Sequence, residues 1–343
     1  MKKEQMIGFF LIALVAGIMF AGCVEEETPA TYPTPAQTAE EAPSIMPLET
    51  LEQTQATEEI LPSSTPTQYK SVIQYRNQTA YKAEYIFELL FGEHTTINFL
   101  NVYVPIPTEW ESQRDVELIL LSPDGDISSK NIYGKYINFN KDNLKNNMLS
   151  TKQIFKFNTY ETITNTKVDN VQNYNTSSVI YSEYTKHENK IERDFFVDKI
   201  QEIVGDEENP IKRARKIYDY VIGSVRYKSQ GGVLRGAKYC YENKEGECGD
   251  YSALFVAMCR AEGIPARPVV GFWADSAYGN EHVWAEFYVQ DIGWIPVDPT
   301  IGQQSEEERE YYFGNMDNKR LIMSKGYNVP FDAGTADLFH IGA

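Results

Sequence analysis

The chain has 343 residues and a formal net charge of −17 at pH 7, and 42% of its residues are hydrophobic. This length allows an export segment and two ordinary domains. Residues 24–68 hold nine glutamates and no lysine, arginine or aspartate, so residues 69–343 carry only −9. Because the chain contains no basic stripe, its composition argues against nucleic acid as a partner.

The N-terminal segment has the pattern of an export signal. Lys2 and Lys3 precede residues 6–22, an uncharged run of mostly large apolar side chains. A run of 17 residues lies at the short edge of a membrane span, so an uncleaved anchor also stays open. Residues 20–23 (FAGC) resemble a lipoprotein signal, in which small residues precede a cysteine that becomes lipidated. We predict a signal peptide over residues 1–22, lipidation at Cys23, and an exported protein tethered to the outer face of the cytoplasmic membrane.

The segment that follows Cys23 has the composition of a stalk. Residues 24–68 contain seven prolines and nine threonines, and Tyr32 is their only aromatic residue. Such a stretch cannot bury enough apolar surface to offset the entropy of ordering it. We therefore predict that residues 23–68 comprise the lipidated cysteine and a disordered stalk rich in proline, threonine and glutamate.

From residue 69 the composition changes to that of a β-rich module. Short runs rich in aromatic and branched residues alternate with turn signals such as residues 122–125 (SPDG), which is the pattern of several short strands. The sequence predicts strands at 85–91, 96–105, 116–121, 136–139, 152–157 and 179–184. We expect residues 69–190 to form a small β-sandwich with no recognisable chemistry of its own.

Two glycosylation motifs fall within this module. Asn77 begins the motif Asn-Gln-Thr and Asn175 begins the motif Asn-Thr-Ser. In an exported protein both are acceptor sequences for N-linked glycans. Asn77 and Asn175 are therefore predicted modification sites.

The second half of the chain alternates helical and strand patterns, and we place the catalytic domain at residues 191–343. Asn209 is suited to cap a helix that begins with Pro210. A later apolar helix ends before Gly263, which is suited to a left-handed cap. The expected elements are 195–204, a helix from Pro210 whose apolar face runs to Val221, and then 225–227, 248–262, 266–273, 282–289 and 294–297, the last two forming a β-hairpin.

Cys248 stands at the start of the helix predicted over residues 248–262, after a glycine-bearing loop. Unpaired N–H groups and the helix dipole favour negative charge there, and the thiolate form of cysteine is the nucleophile. His282 begins one strand of the hairpin and Asp298 ends the other, so the two should lie near each other. The imidazole can take the thiol proton while Asp298 orients the ring, and the N–H of Cys248 can stabilise an oxyanion.

Other uses of these residues fit less well. A zinc site built from Cys240, Cys248, Cys259 and His282 would lack the usual close cysteine pair, so we predict neither a metal nor a cofactor. Ser252 would project one turn further along the helix than the thiol. A disulfide between Cys240 and Cys259 stays open, as does a reversible disulfide between Cys240 and Cys248, although a small buried apolar role favours Cys259.

Three blocks of sequence resemble the transglutaminase-like superfamily: residues 246–255 with 260–267, residues 281–286 (EHVWAE) and residues 294–300 (WIPVDPT). The resemblance covers about residues 195–330. It implies a papain-like α+β fold preceded by a β-rich module, with Cys248 as nucleophile, His282 as base and Asp298 as orienting acid. Animal transglutaminases use a tryptophan upstream of the cysteine to stabilise the oxyanion. No tryptophan lies between Trp110 and Trp273 here, and Tyr227 is our substitute candidate.

These observations predict a surface-tethered thiol enzyme that acts on amide or peptide bonds of extracellular protein or of wall peptide. Both hydrolysis and cross-linking by a protein-glutamine gamma-glutamyltransferase pass through the same acyl-thioester. Hydrolysis is slightly favoured for a protein tethered at the cell surface. A non-catalytic surface binding module is the remaining alternative. It predicts decay of the triad, and all three triad residues are present.

Overall fold

The computed structural model describes residues 10–15, 22–23, 72–92, 96–97, 99–229, 231–276, 281–331 and 334–341. Most of the predicted signal peptide and the whole predicted stalk over residues 24–68 lie outside these residues. The described part of the N-terminal segment consists of two short strands, Phe10–Val15 and Gly22–Cys23. None of the helices within the described ranges is long and apolar enough to cross a membrane.

The described residues combine helices with mainly antiparallel sheets, as expected for an α+β fold. The α-helices are α1 (Val179–Tyr184), α2 (Ile200–Val204), α3 (Pro210–Ser224), α4 (Ala237–Asn243), α5 (Cys248–Ala261) and α6 (Glu306–Tyr311). The strands are β1 (Phe10–Val15), β2 (Gly22–Cys23), β3 (Ile73–Leu90), β4 (Asn101–Ile106), β5 (Gln113–Ser122), β6 (Asp126–Ile127), β7 (Lys135–Asn140), β8 (Met148–Thr164), β9 (Arg226–Tyr227), β10 (Glu245–Gly246), β11 (Ala266–Trp273), β12 (Glu281–Val289), β13 (Gly293–Val297), β14 (Arg320–Lys325), β15 (Asn328–Phe331) and β16 (Gly334–Ile341).

The strands of the N-terminal module lie in two sheets, which strands from both ends of the chain extend. One sheet has the order β2-β3-β8-β5, and the other has the order β15-β16-β1-β4-β7-β6. Buried residues alternate along β3 and β8, as expected for strands with one face in a core. They pack with the buried side chains of β4 and β7 in a single cluster. The long pair β3 and β8 merges the predicted strands 85–91 and 152–157 into a much longer ribbon.

One predicted strand of this region is wrong. Residues 179–184 form helix α1, whose N-cap Ser178 accepts a hydrogen bond from the N–H of Tyr181 through its side chain, at 3.1 Å. Branched and aromatic residues favour strands on average, but here a capping serine precedes them and Tyr184 is the buried residue of a six-residue helix. The helix predicted over 195–204 is shorter, because α2 begins only at Ile200.

The C-terminal half is built around the antiparallel sheet β13-β12-β11-β14. Helix α5 is buried along almost its whole length and packs against this sheet, with the Phe255 ring 6.3 Å from that of Phe287. Asn209 caps α3 by accepting from the N–H groups of Ile211 and Lys212, and Gly263 has the expected left-handed φ of 73°. The predicted hairpin is present as β12 and β13.

The described residues on both sides of the predicted boundary at residue 190 form one compact unit. Tyr85 of β3 packs on Phe272 of β11, with ring centroids 5.6 Å apart. The Gln113 side chain donates to the carbonyl of Ile322 at 3.0 Å and accepts from its N–H at 2.7 Å. The N-terminal module therefore touches the sheet of the C-terminal half directly.

Candidate active site

Cys248 is the first residue of α5, and its side chain is nearly buried, with 8% of the residue exposed. Its backbone N–H lies in the first turn, where no helical carbonyl is available to accept it. The sulfur therefore lies beside the positive end of the helix dipole, which stabilises a thiolate.

Two buried carboxylates fix the loop that precedes Cys248. Asp250 accepts from the N–H groups of Arg235 and Gly236, both at 2.8 Å, and from the N–H of Glu247 at 3.2 Å. The side chain of Glu247 accepts from the N–H of Gly232 at 2.9 Å. These charge-assisted bonds hold the loop against the helix start and fix the position of the thiol.

The hairpin brings His282 and Asp298 together at one end of the sheet. His282 Nε2 donates to Asp298 Oδ2 at 2.7 Å, and the imidazole is also hydrogen-bonded to the Cys248 side chain. Because Nε2 is taken by the carboxylate, Nδ1 is the ring nitrogen that faces the thiol. Asp298 Oδ1 accepts from the N–H groups of Thr300 and Ile301, both at 3.1 Å, so the carboxylate is fixed in orientation.

The electrostatics of this arrangement favour a charged imidazole. Burial alone would lower the pKa of His282, but the charge and hydrogen bond of Asp298 and the interaction with Cys248 raise it to about 9. Burial raises the pKa of Asp298, and the neighbouring His282 and Arg320 outweigh this and hold that pKa well below its usual range. An imidazolium beside a thiol favours a thiolate–imidazolium pair at neutral pH.

A cleft of about 550 Å³ opens onto the thiol and the imidazole. Tyr227 lines this cleft and is 49% exposed. Burial and the nearby Cys248 raise the pKa of Tyr227, so its hydroxyl stays protonated and able to donate. The remaining lining residues are Trp273, Glu281, Thr300, Ile301, Gln303 and Gln304.

Sequence reasoning missed Arg320 and the two tryptophans next to the imidazole. Arg320 Nη1 donates to Asp298 Oδ2 at 2.6 Å, the same oxygen that His282 uses. The rings of Trp273 and Trp284 lie nearly parallel to the imidazole, with centroids at 5.2 and 6.2 Å. Trp284 stands two residues from His282 in the strand, which was an available signal. Arg320 is distant in sequence and reaches the site only through strand pairing.

The rival candidates from sequence lie apart from the cleft. Ser252 is fully buried and donates to the carbonyl of Val283 at 3.2 Å. Cys240, Cys248 and Cys259 are all free thiols, so neither of the two disulfides left open by the sequence is formed. Among the described side chains, no group of three or more His, Cys, Asp or Glu residues could hold a metal ion.

The two glycosylation candidates occupy exposed positions, and their modification stays a prediction. The Asn77 amide donates to Glu161 Oε2 at 2.5 Å, and Asn175 accepts from the N–H of Ser177 at 3.1 Å. Cys23 lies in β2, and its lipidation stays a prediction.

Comparison with known proteins finds relatives for the C-terminal half of the chain. Residues 197–299 match the family model of the transglutaminase-like superfamily. An uncharacterized protein of Haemophilus influenzae is 28% identical over 40% of this chain and 48% of its own length. A protein-glutamine gamma-glutamyltransferase of Pseudomonas aeruginosa is 32% identical over 18% of this chain and 11% of its own. The chain thus spans about half of the first relative's length and about a tenth of the other's.

Among solved structures, a candidate cysteine protease of Cytophaga hutchinsonii has a TM-score of 0.58 and 17% sequence identity. The match covers 74% of this chain and 83% of that one, and at this identity it shows a shared fold. The fold, the order of the three motif blocks and the matched segment agree with one another. Residues 197–299 are a core domain of the transglutaminase-like superfamily.

Proposed function

We propose that this chain is a thiol enzyme that cleaves or transfers the acyl group of an amide or peptide bond. The observation that carries the proposal is the line from Cys248 through His282 to Asp298 at the floor of an open cleft, with 2.7 Å between Nε2 and Oδ2. A nucleophile, a base and an orienting carboxylate in this order support acyl transfer.

In the first half-reaction, the Cys248 thiolate attacks the carbonyl carbon of the substrate. The C–N bond breaks, and the leaving amine takes a proton from the His282 imidazolium. In this proposal, the backbone N–H of Cys248 and the Tyr227 hydroxyl stabilise the oxyanion formed on the way. The products of this step are an acyl-thioester on Cys248 and a neutral imidazole.

In the second half-reaction, His282 takes a proton from water or from an amine, which attacks the thioester carbonyl. Water gives hydrolysis and restores the thiolate, whereas an amine gives a new amide. We favour hydrolysis of extracellular protein or wall peptide. Transamidation is the second candidate, and the similarity to the Pseudomonas gamma-glutamyltransferase over 18% of this chain favours it.

The predicted export signal and lipidation at Cys23 support action outside the cytoplasmic membrane. We propose that the catalytic half is presented there on the stalk. Fractionation of cells, with mass spectrometry of the mature N-terminus, tests this: a diacylglyceryl group on Cys23 is expected. A mature chain that begins at Met1 and is recovered in the cytosol would contradict it.

The enzymatic test offers the protein a glutamine-bearing peptide, with and without a primary amine. Wild-type protein should release ammonia or peptide fragments, and Cys248→Ala should not. Cys240→Ala is the matched control and should be as active as the wild type. Incorporation of the amine would assign transamidation. Equal behaviour of wild type and Cys248→Ala towards a panel of such peptides would contradict the proposal.

A further inference from the structure

Strand β14 lies at the edge of the C-terminal sheet, and its backbone is held by the N-terminal module. The Gln113 amide pairs with both backbone groups of Ile322, as a neighbouring strand would do. The N–H of Lys325 donates to the carbonyl of Tyr133 at 2.7 Å. The module therefore fixes the register of a strand that begins with Arg320.

The guanidinium of Arg320 is buried and fixed on several sides. Arg320 Nη1 donates to Asp298 Oδ2 at 2.6 Å, and Nε donates to Asp317 Oδ2 at 3.0 Å. The Arg320 guanidinium carbon lies 4.3 Å from the centroid of the Trp273 ring and 5.2 Å from that of Tyr312. In a surface ion pair, holding the side chain in this geometry would cost rotamer entropy. Here the packing around Arg320 already fixes its rotamer.

Arg320 and His282 share one oxygen of the triad carboxylate. Oδ2 accepts from both side chains, and Oδ1 accepts from two backbone N–H groups. Asp298 is fully buried, so its negative charge is divided between these donors without help from water. How strongly Asp298 stabilises the imidazolium of His282 therefore depends on the presence and position of the Arg320 guanidinium.

We propose that Arg320 is a positioning residue of the triad, and that the N-terminal module, by holding β14, places it against Asp298. Arg320 keeps the carboxylate turned towards His282 and limits how strongly that carboxylate stabilises the imidazolium. This inference rests on the proposed thiol chemistry and adds a role for the module in it.

The direction of the effect follows from the charges around the site. The titratable and charged groups that face Cys248, His282 or Asp298 from the packed elements are Tyr218 of α3, Tyr227 of β9, Glu281 of β12, Tyr327, which follows β14, and Tyr312, Asp317 and Arg320 near β14. Burial is the largest cause that raises the pKa values of Tyr218 and Tyr312, so both phenols stay neutral. Removing the cation of Arg320 leaves a more negative site, which favours the imidazolium and disfavours the thiolate.

The test measures the rate of Cys248 alkylation by iodoacetamide against pH, because this readout does not require a substrate. In the wild type, the profile has a step where the thiolate–imidazolium pair forms and a second step where the imidazolium loses its proton. In Arg320→Met, both steps should move to higher pH by about one unit. Arg320→Lys keeps a positive charge and should bring both steps back towards their wild-type positions.

Two further variants keep the test decisive if Arg320→Met does not fold. Asp317→Asn withdraws the negative charge on the other side of the guanidinium and should move both steps to lower pH. Arg213→Met removes an ion-paired arginine that contacts Glu262 instead of the triad, and should leave both steps in place. Near- and far-ultraviolet circular dichroism establishes that each variant is folded.

The possible outcomes separate the inference from the proposed function. Slow wild-type labelling, equal to that of Cys248→Ala, would overturn the thiol chemistry itself. Fast wild-type labelling with unmoved steps in folded Arg320→Met and Asp317→Asn would overturn the role of Arg320 alone. Slower alkylation in these variants, with both pH steps at their wild-type positions, would mean that Arg320 contributes only to structure. This outcome would also overturn the role of Arg320.

Discussion

At the residue scale, Asp298 makes more hydrogen bonds in the site than its sequence context suggests. Its two oxygens accept four donors, two from the backbone and two from side chains, while the residue is fully buried. A buried carboxylate with this many partners stays ionised and fixed. The sequence predicted its pairing with His282 from the hairpin pattern. It did not predict Arg320, because no local periodicity links residues 298 and 320.

The hydroxyl of Tyr227 gives a prediction about oxyanion stabilisation. Tyr227→Phe should lower kcat by about 100-fold with little change in KM, as expected for the loss of one oxyanion donor. Steady-state kinetics on a substrate identified for the wild type would measure this. Tyr220→Phe, which removes a hydroxyl on α3 outside the cleft, should leave kcat unchanged. Full kcat in Tyr227→Phe would assign the oxyanion to backbone donors alone.

The raised pKa of His282 gives a prediction about stability. The folded value of about 9 lies above the ordinary 6.5, so charged His282 stabilises the fold fully below pH 6.5, and this contribution is lost as pH rises through 9. Cys248→Ala removes the titration of the thiol. It also removes the part of the His282 pKa shift that Cys248 causes, so the window ends below pH 9. In that background the free energy of unfolding should fall as pH rises above 6.5, by about 1.4 kcal/mol for each unit of pKa shift that Asp298 maintains.

Urea unfolding at several pH values measures this fall. Adding His282→Gln to Cys248→Ala should abolish the slope, whereas adding His187→Gln, on an exposed histidine, should preserve it. An unchanged slope in the His282→Gln variant would show that another group carries the pH dependence.

At the scale of elements, the close pairing of β11 with β14 depends on Gly271. The register shifts between Val270 and Gly271, and a Cβ at Gly271 would lie 1.9 Å from the carbonyl oxygen of Leu321. Backbone atoms cannot move aside as a flexible side chain can. The sequence predicted both the strand over 266–273 and the helix over 248–262, since their patterns are local. It could not predict the partner strand, because strand pairing is a long-range choice.

Gly271→Ala should therefore separate the two strands and displace Arg320. We expect a loss of about 1–3 kcal/mol in the free energy of unfolding, together with reduced alkylation of Cys248. Gly223→Ala is the matched control, because a Cβ there meets nothing within 4 Å and the residue lies in helix α3. The control should be neutral or stabilising by about 0.5–1 kcal/mol. Equal stability of the two variants in chemical denaturation would contradict this account.

At the scale of the whole molecule, the N-terminal module and the C-terminal half share buried contacts. Glu286 accepts from Lys325 at 2.8 Å and from Arg267 at 2.8 Å, and both cations lie near the ring of Trp110 in the module. Removing Trp110 would leave these buried charges open to water. Composition predicted the β-rich nature of residues 69–190. It gave no sign that this module completes the environment of the second half.

A fragment of residues 191–343 should therefore not reach the native state by itself. It lacks Trp110, Gln113 and Tyr85, and we expect little near-ultraviolet circular dichroism and rapid amide exchange in β14. Gln113→Leu in the full chain should fold. Relative to the wild type, its amide hydrogen exchange should become faster at Ile322 and stay unchanged at Val283 of the central strand. A fragment that unfolds cooperatively and labels Cys248 rapidly would contradict this interpretation.

The burial of the three cysteines beyond residue 23 has a practical consequence. Cys240 and Cys259 are fully buried and burial raises the pKa of each thiol, whereas Cys248 faces the cleft. Of these three cysteines, a native molecule thus presents one sulfur to a reagent, and an unfolded molecule presents all three. A single pulse of thiol reagent, read by intact mass, would count folded and unfolded molecules in the same sample. Cys248 and the two buried thiols together therefore make the chain a reporter of its own conformational state.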